Sequence, residues 1–258
     1  MWEKELEAAI IAAVLAKRKI LEIYNTDFDV EIKDDDSPVT KADKEADKII
    51  RESLSKKFPT HAFLTEESVD DKKRLENDYV WIVDPIDGTK DFVDKNGEFT
   101  VNIALSYKHE VVVGVVLIPV TGEIYYASKL GGSFYNNGLE VEQIFANRKN
   151  KELTVLTSRF HVNEKELELI KKHADMITKV ETYGSSIKAC RIARGLAELS
   201  YRMSAGTKEW DTAASQIIVT EAGGVFVKPD GSKIHYNRED VYNREGYIIA
   251  NTKKNILL

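Results

Sequence analysis

Tyr79-Val80-Trp81-Ile82-Val83-Asp84-Pro85-Ile86-Asp87-Gly88-Thr89 decides how this chain is read. Its first five residues are apolar and β-branched or aromatic, the composition of a buried strand. Pro85 removes a ladder donor, so the strand is expected to stop there and turn the Ile86 carbonyl away from the sheet. Gly88 lets backbone approach a ligand closely, and Gly88-Thr89 open a helix whose first N–H groups form an anion site. Two carboxylates, Asp84 and Asp87, therefore stand beside a phosphate cradle. Taken alone, Asp-x-x-Asp-Gly-Thr fits an ordinary strand–turn–helix corner equally well.

Further acidic residues remove that balance. Glu66-Glu67-Ser68 follows a short strand predicted over His61 to Leu64, and Asp211 opens a predicted helix after Glu209-Trp210. Carboxylates at strand ends and helix starts converge on one edge of a layered fold. Several hard oxygen ligands meeting there suit Mg²⁺, and without a cation they would repel or take up protons. Metal-assisted phosphoryl transfer to water is the chemistry of that layout. Aspartyl-phosphate chemistry needs an Asp-x-Asp pair, whereas Asp84 and Asp87 are three apart; no Cys-x5-Arg cradle or serine elbow is present.

Upstream, Leu6, Ala9, Ile10, Ala13, Val14, Lys17, Ile20, Leu21 and Tyr24 recur at helical spacing. A second helix is predicted from Thr40, with Ala42, Ala46, Ile49, Ile50 and Leu54 as its apolar stripe. The polar stretch between them, Lys33 to Lys41, is expected to act as a flap that closes on metal, because Asp34, Asp35 and Asp36 repel one another. Downstream, 99–107, 111–119 and 123–127 read as an antiparallel meander. From Leu153 onward strands alternate with helices. A soft boundary near 135–150 divides the chain into an α+β part, 1–140, carrying most metal ligands, and an α/β part, 141–258, completing the site.

The chain has 258 residues and a net charge of −6, from 37 basic and 43 acidic side chains, so a nucleic-acid partner is not expected. Cys190 stands alone and reads as core filler, which excludes an intrachain disulfide and a thiolate zinc cluster. The longest apolar run, Ala8 to Ala16, is too short to span a bilayer, and Glu3, Glu5 and Glu7 before it make it a poor signal peptide. A cytoplasmic location is expected.

The motifs Glu66-Glu67-Ser68, Trp81-Ile82-Val83-Asp84-Pro85-Ile86-Asp87-Gly88-Thr89, Trp210-Asp211-Thr212-Ala213-Ala214 and Glu221-Ala222-Gly223-Gly224 resemble the lithium-sensitive, magnesium-dependent inositol monophosphatase superfamily. The resemblance implies the five-layer αβαβα sandwich of the inositol monophosphatase/fructose-1,6-bisphosphatase type. Ser37-Pro38-Val39-Thr40-Lys41-Ala42-Asp43, Ser158-Arg159-Phe160-His161, Gly184-Ser185-Ser186-Ile187-Lys188-Ala189-Cys190 and Tyr201-Arg202 are similar to the CysQ-type 3'(2'),5'-bisphosphate nucleotidases. By position, the resemblance gives Glu66, Asp84 and the Ile86 carbonyl to a first Mg²⁺ and Asp84, Asp87 and Asp211 to a second. A weaker third would lie near Glu66, through water and Asp43. Gly88 and Thr89 would hold the scissile phosphate. Thr89 and Asp43, with Glu66, would orient and deprotonate the attacking water. His161, Ser185, Lys188, Arg202 and Asp211 would contact substrate.

Some of these positions carry a second reading. Thr40-x-x-Asp43 is also a capping box, Asp211 also an N-cap, Glu67 also an outer partner of a ligand, and His161 also a surface histidine. For the substrate, the resemblance and the charges point together. Inositol monophosphatases carry a small uncharged residue at the Lys188 position and a substrate-binding Glu near Arg202. Two cations there suit a second phosphate. The expected reaction removes the 3'-phosphate of adenosine 3',5'-bisphosphate, giving AMP, with 3'-phosphoadenylyl sulfate as a further candidate substrate. The alternative is an inositol or sugar monophosphatase on the same fold.

Overall fold

The computed structural model describes residues 1–32 and 38–258. The expected flap therefore lies largely outside the described residues. Two helices open the chain, α1 (Glu3–Tyr24) and α2 (Lys41–Lys57), separated by a small antiparallel pair, β1 (Val30–Ile32) and β2 (Pro38–Thr40). A seven-stranded sheet follows in chain order: β3 (Ala62–Thr65), β4 (Tyr79–Asp87), β5 (Thr100–Tyr107), β6 (Glu110–Leu117), β7 (Ile124–Ser128), β8 (Gly132–Asn136) and β9 (Val141–Gln143). Only β3 and β4 pair in parallel; the rest is an antiparallel meander. A short helix, α3 (Thr89–Val93), links β4 to β5.

The second sheet is mixed, with strand order β11-β10-β12-β14-β13, built from β10 (Leu153–Ser158), β11 (Ile177–Tyr183), β12 (Leu199–Arg202), β13 (Val225–Val227) and β14 (Tyr247–Ala250). Helices α4 (Glu164–Lys172), α5 (Ile187–Ala193) and α6 (Glu209–Glu221) alternate with these strands.

Three apolar clusters define the layers. Helices α1 and α2 bury their stripes against Trp81, Val83, Ile103 and Leu105 on one face of the large sheet. On the other face, Val80, Ile82 and Ala104 meet Ala213, Ala214 and Ile217 of α6 and Ile192 of α5, which also reach Ile249 of the small sheet. Leu169 and Ile170 of α4 cover Leu153, Val155, Leu199 and Ile248 on the outer face of that sheet. The order is helix, sheet, helix, sheet, helix: the five-layer αβαβα sandwich.

Two elements differ from the sequence expectation. The buried stripe of α1 is mostly alanine, at Ala8, Ala9, Ala12, Ala13 and Ala16, followed by Ile20 and Ile23, whereas Ile10, Val14 and Leu21 are half-buried. Small side chains let α1 approach Ala42 and Ala46 of α2 closely. Strand β4 does not stop at Pro85. Pairing with β5 resumes at Asp87↔Thr100 after an irregularity that begins at Asp84↔Asn102. Pro85 sits inside this bulge, where no ladder donor is required.

The bulge changes which way the side chains face. Trp81 and Val83 point to the α1–α2 side and Val80 and Ile82 to the α6 side, yet Ile86 lies with Trp81 and Val83. Alternation has shifted by one residue. Asp84 and Asp87, which a regular strand would send to opposite faces, both look toward α5 and α6.

Candidate active site: an acidic cluster facing cations

Ligand oxygens of Asp84, Asp87 and Asp211 lie within 4.8 Å of one another. Asp84 is buried, and its Oδ1 accepts the Ile86 N–H at 3.1 Å. Asp87 Oδ2 accepts from Ser186 Oγ at 2.9 Å and Asn102 Nδ2 at 3.2 Å. Helix α6 begins at Glu209, two residues earlier than the expected start at Asp211. The reason is the Glu209 carboxylate, fully buried, which accepts the N–H groups of Asn237 at 2.6 Å and Arg238 at 2.8 Å and fixes the helix start. Asp211 then falls at the third helical position, its Oδ2 accepting the Lys208 N–H at 2.5 Å. It caps the helix and belongs to the cluster.

Glu66 joins from β3. Its N–H donates to the Val83 carbonyl at 3.2 Å, which lays the Glu66-Glu67-Ser68 turn beside Asp84. Burial, then Glu66, Asp87 and Asp211, push the Asp84 carboxyl well above the usual range. Burial also raises Asp87, against the pull of Lys188, and takes Asp211 to about 7 with help from the Asp87 charge. A donor set made of carboxylate oxygens fits a hard divalent cation, which would relieve this repulsion.

Asp43 reaches both Thr40 and Thr89 with its carboxylate. Oδ2 accepts from the N–H and hydroxyl of Thr40, at 2.8 and 2.7 Å, closing the capping box of α2. Oδ1 faces Thr89 Oγ1 at 3.4 Å. The same hydroxyl lies 3.2 Å from the Ile86 carbonyl, so one proton has two acceptors. Gly88 adopts φ 91°, and a Cβ there would lie 3.3 Å from Ser185 Cβ.

A cleft of about 580 Å³ opens above the cluster. Glu66, Asp87, Asp211, Gly88, Thr89, His161, Ser185, Lys188 and Arg202 all line it, so the structure gathers the expected substrate residues on one surface. Asp43, Asp84 and Ile86 lie behind the lining. The Lys188 ammonium donates to the carbonyls of Tyr183 at 3.1 Å and Ser185 at 2.6 Å, partners the sequence did not reveal. A cation leaving water needs such acceptors, and burial still holds Lys188 down to about 8. Arg202 donates to the His161 carbonyl at 2.9 Å, and its Nε is buried without a partner. Among the described residues no carboxylate lies within ion-pair distance of Arg202. His161 is exposed at the rim of the cleft, as the surface-histidine reading expects; partial desolvation, then the nearby Arg202, Lys90 and Lys188 cations, hold it down to about 4, so its ring is neutral at pH 7.

Sequence reasoning missed Lys90, Ser186 and Asn102. Lys90 follows Gly88-Thr89 directly and lines the cleft, a signal that was available. Ser186 and Asn102 act through Asp87 and lie far from it in the chain, so spacing could not reveal them.

An acidic cluster between two sheets, below a cleft that also gathers Lys90, Lys188 and Arg202, marks the layered metal-assisted phosphatases as a class. The model of the inositol monophosphatase family matches residues 1–257, and the chain belongs to that family. It is 34% identical to the 3'(2'),5'-bisphosphate nucleotidase CysQ of Buchnera aphidicola over 92% of this chain and 89% of that protein. It is 31% identical to human inositol monophosphatase 1, over 96% and 92%. The crystal structure of CysQ from Bacteroides thetaiotaomicron superposes with a TM-score of 0.84 at 33% identity, covering 98% of this chain and 99% of that one. No helix among the described residues is long and apolar enough to cross a membrane.

Proposed function

We propose that the protein is a Mg²⁺-dependent 3'(2'),5'-bisphosphate nucleotidase. It removes the 3'-phosphate of adenosine 3',5'-bisphosphate to give AMP and phosphate, and 3'-phosphoadenylyl sulfate is a second candidate substrate. One observation carries the reading. The cleft lined by the carboxylates of Glu66, Asp87 and Asp211 also gathers Lys90, Lys188 and Arg202, the three cations around His161. A substrate with two phosphates engages both groups. An inositol monophosphate, the alternative, leaves the cations around His161 without an anion. The curated CysQ relatives support the same choice.

Glu66, Asp84, Asp87, Asp211 and the Ile86 carbonyl would hold two Mg²⁺ ions, with a third near Glu66 and Asp43. Bound Mg²⁺ supplies charge that acidifies a water and neutralises the leaving oxygen. Gly88 and Thr89 N–H groups hold the scissile phosphate. With the Ile86 carbonyl given to a metal ion, the Thr89 hydroxyl would point its proton at Asp43 Oδ1 and accept from the attacking water. The water's proton passes to Thr89 Oγ1 as the Thr89 proton passes to Asp43, so one proton in total reaches the carboxylate. Ser185, Lys188, Arg202 and His161 hold the rest of the nucleotide.

Phosphate release from adenosine 3',5'-bisphosphate, compared with inositol 1-phosphate at fixed Mg²⁺, tests the proposal; preference for inositol 1-phosphate overturns it. Lys188→Ala and Arg202→Ala are each expected to cost about 1.5–3 kcal/mol on the bisphosphate, roughly 10- to 150-fold in kcat/KM, and far less on a single-phosphate substrate. Equal losses would place these side chains at the scissile phosphate. Millimolar Li⁺ is expected to inhibit by holding product at the second cation site. Steady-state rates that stay flat across a millimolar Li⁺ series would remove that expectation.

A further inference from the structure

Ser158, Phe160 and His161 line the cleft, but Arg159 between them does not. Its guanidinium is held against the wall of the cleft, with Nη2 2.7 Å from Glu98 Oε2 and Nε 3.5 Å from Oδ1 of Asp91, which lines it. The same Glu98 oxygen accepts the Gly184 N–H at 2.7 Å. Asp91 is buried, and its Oδ1 also accepts from Asn96 Nδ2 at 2.6 Å. The approach is close: a Cβ on Gly184 would lie 2.5 Å from the Glu98 carbonyl oxygen and 2.7 Å from Asp91 Oδ2.

These contacts join two segments distant in sequence. Segment 88–98 carries the Gly88 and Thr89 N–H groups, and segment 184–188 carries Ser185 and Lys188. We propose that the Arg159–Glu98–Gly184 clasp fixes the spacing between the scissile-phosphate site and the second-phosphate site. Arg159 and Glu98 are then positioning residues that set selectivity for substrates with two phosphates. This rests on the bisphosphate reading above. The physical reason is geometric. A ligand with two anionic groups gains fully from both sites only when their separation lies within the range its own bonds allow, whereas a ligand with one phosphate needs the first site alone.

The test compares adenosine 3',5'-bisphosphate with adenosine 3'-monophosphate, which has the same scissile bond without the second phosphate. Arg159→Ala and Glu98→Gln are expected to raise KM for the bisphosphate about tenfold, the loss of one charge-assisted contact. KM for the monophosphate is expected to stay within about twofold, and Arg159→Lys to recover part of the loss. Glu98→Gln is the discriminating variant. It removes a negative charge near an anion site, so charge alone predicts tighter binding, while the clasp predicts weaker. It is also nearly isosteric, and carries the test if Arg159→Ala does not fold. Equal losses on both substrates, or tighter binding by Glu98→Gln, overturn the clasp alone when the wild type prefers the bisphosphate. A wild type without that preference overturns the clasp and the functional reading together.

Discussion

Asp84→Asn is expected to lower phosphate release by at least about a hundredfold while raising the melting temperature of the metal-free protein at pH 8. Asp84 is buried amid Glu66, Asp87 and Asp211, and its carboxyl lies well above the usual range because of burial first and those charges second. For a carboxyl raised by folding, the stabilising protonated form is fully present below the unfolded pKa of about 4. It is lost as pH rises through the folded values, of which that of Asp211 is about 7. The metal-free cluster therefore weakens the protein progressively from about pH 4 to above pH 7. The amide variant lacks one of the charges responsible, and Mg²⁺ neutralises the rest, so Mg²⁺ should raise Tm more at pH 8 than at pH 5. Thermal melts with and without Mg²⁺ at both pH values measure this. More than about a tenth of wild-type turnover in the variant would remove Asp84 from the proposed ligand set.

Gly114→Ala is expected to lower stability by about 2–3 kcal/mol, or roughly 5–10 °C in Tm. Gly114 lies on β6 where α6 crosses the large sheet. A Cβ there would lie 2.5 Å from both the Ala214 carbonyl oxygen and Ile217 Cγ2. Strand β6 is paired on both sides and α6 is buried between sheets, so neither yields easily. Asp211 sits three residues before Ala214 on the same helix. Displacing α6 moves Asp211 from Asp84 and Asp87, and a higher Mg²⁺ concentration should be needed for half-maximal activity. A variant with unchanged Tm and unchanged Mg²⁺ requirement would show that the added methyl is accommodated without displacing α6.

Individual elements were legible because their signals are local: the run from Tyr79 to Val83, the meander and the alternation after Leu153 each carry their own period. The five-layer arrangement came from the motif resemblance. Strand β9 was not legible, because Val141, Glu142 and Gln143 are all exposed and show no inside or outside. Nor was the alanine face of α1, since helical periodicity weighs large apolar residues and α1 packs by its small ones. At the site, the residues in dense motifs came forward: Asp84, Asp87, Asp211, Glu66, Lys188 and Arg202 meet in or beneath one cleft. What the motifs could not convey was partnership across the chain. The hydrogen bonds of Asp87 with Ser186 and Asn102, and of Gly184 with Glu98, are made by the packing of the sheets. The continuation of β4 past Pro85 was hidden for a related reason. A proline rules out a ladder bond, but only the partner strand shows that none was needed.

The division of Asp43 between Thr40 and Thr89 has a kinetic consequence. Local opening of the first turn of α2 would break the Thr40 bonds to Oδ2 and loosen the hold on the carboxylate that faces Thr89 through Oδ1. On the proposed roles, only molecules with that turn closed can turn over. The fraction of competent enzyme is then set by a local equilibrium, read by amide exchange at Thr40 and Ala42. A substitution that weakens the start of α2, such as Thr40→Ala, would lower apparent kcat without touching substrate.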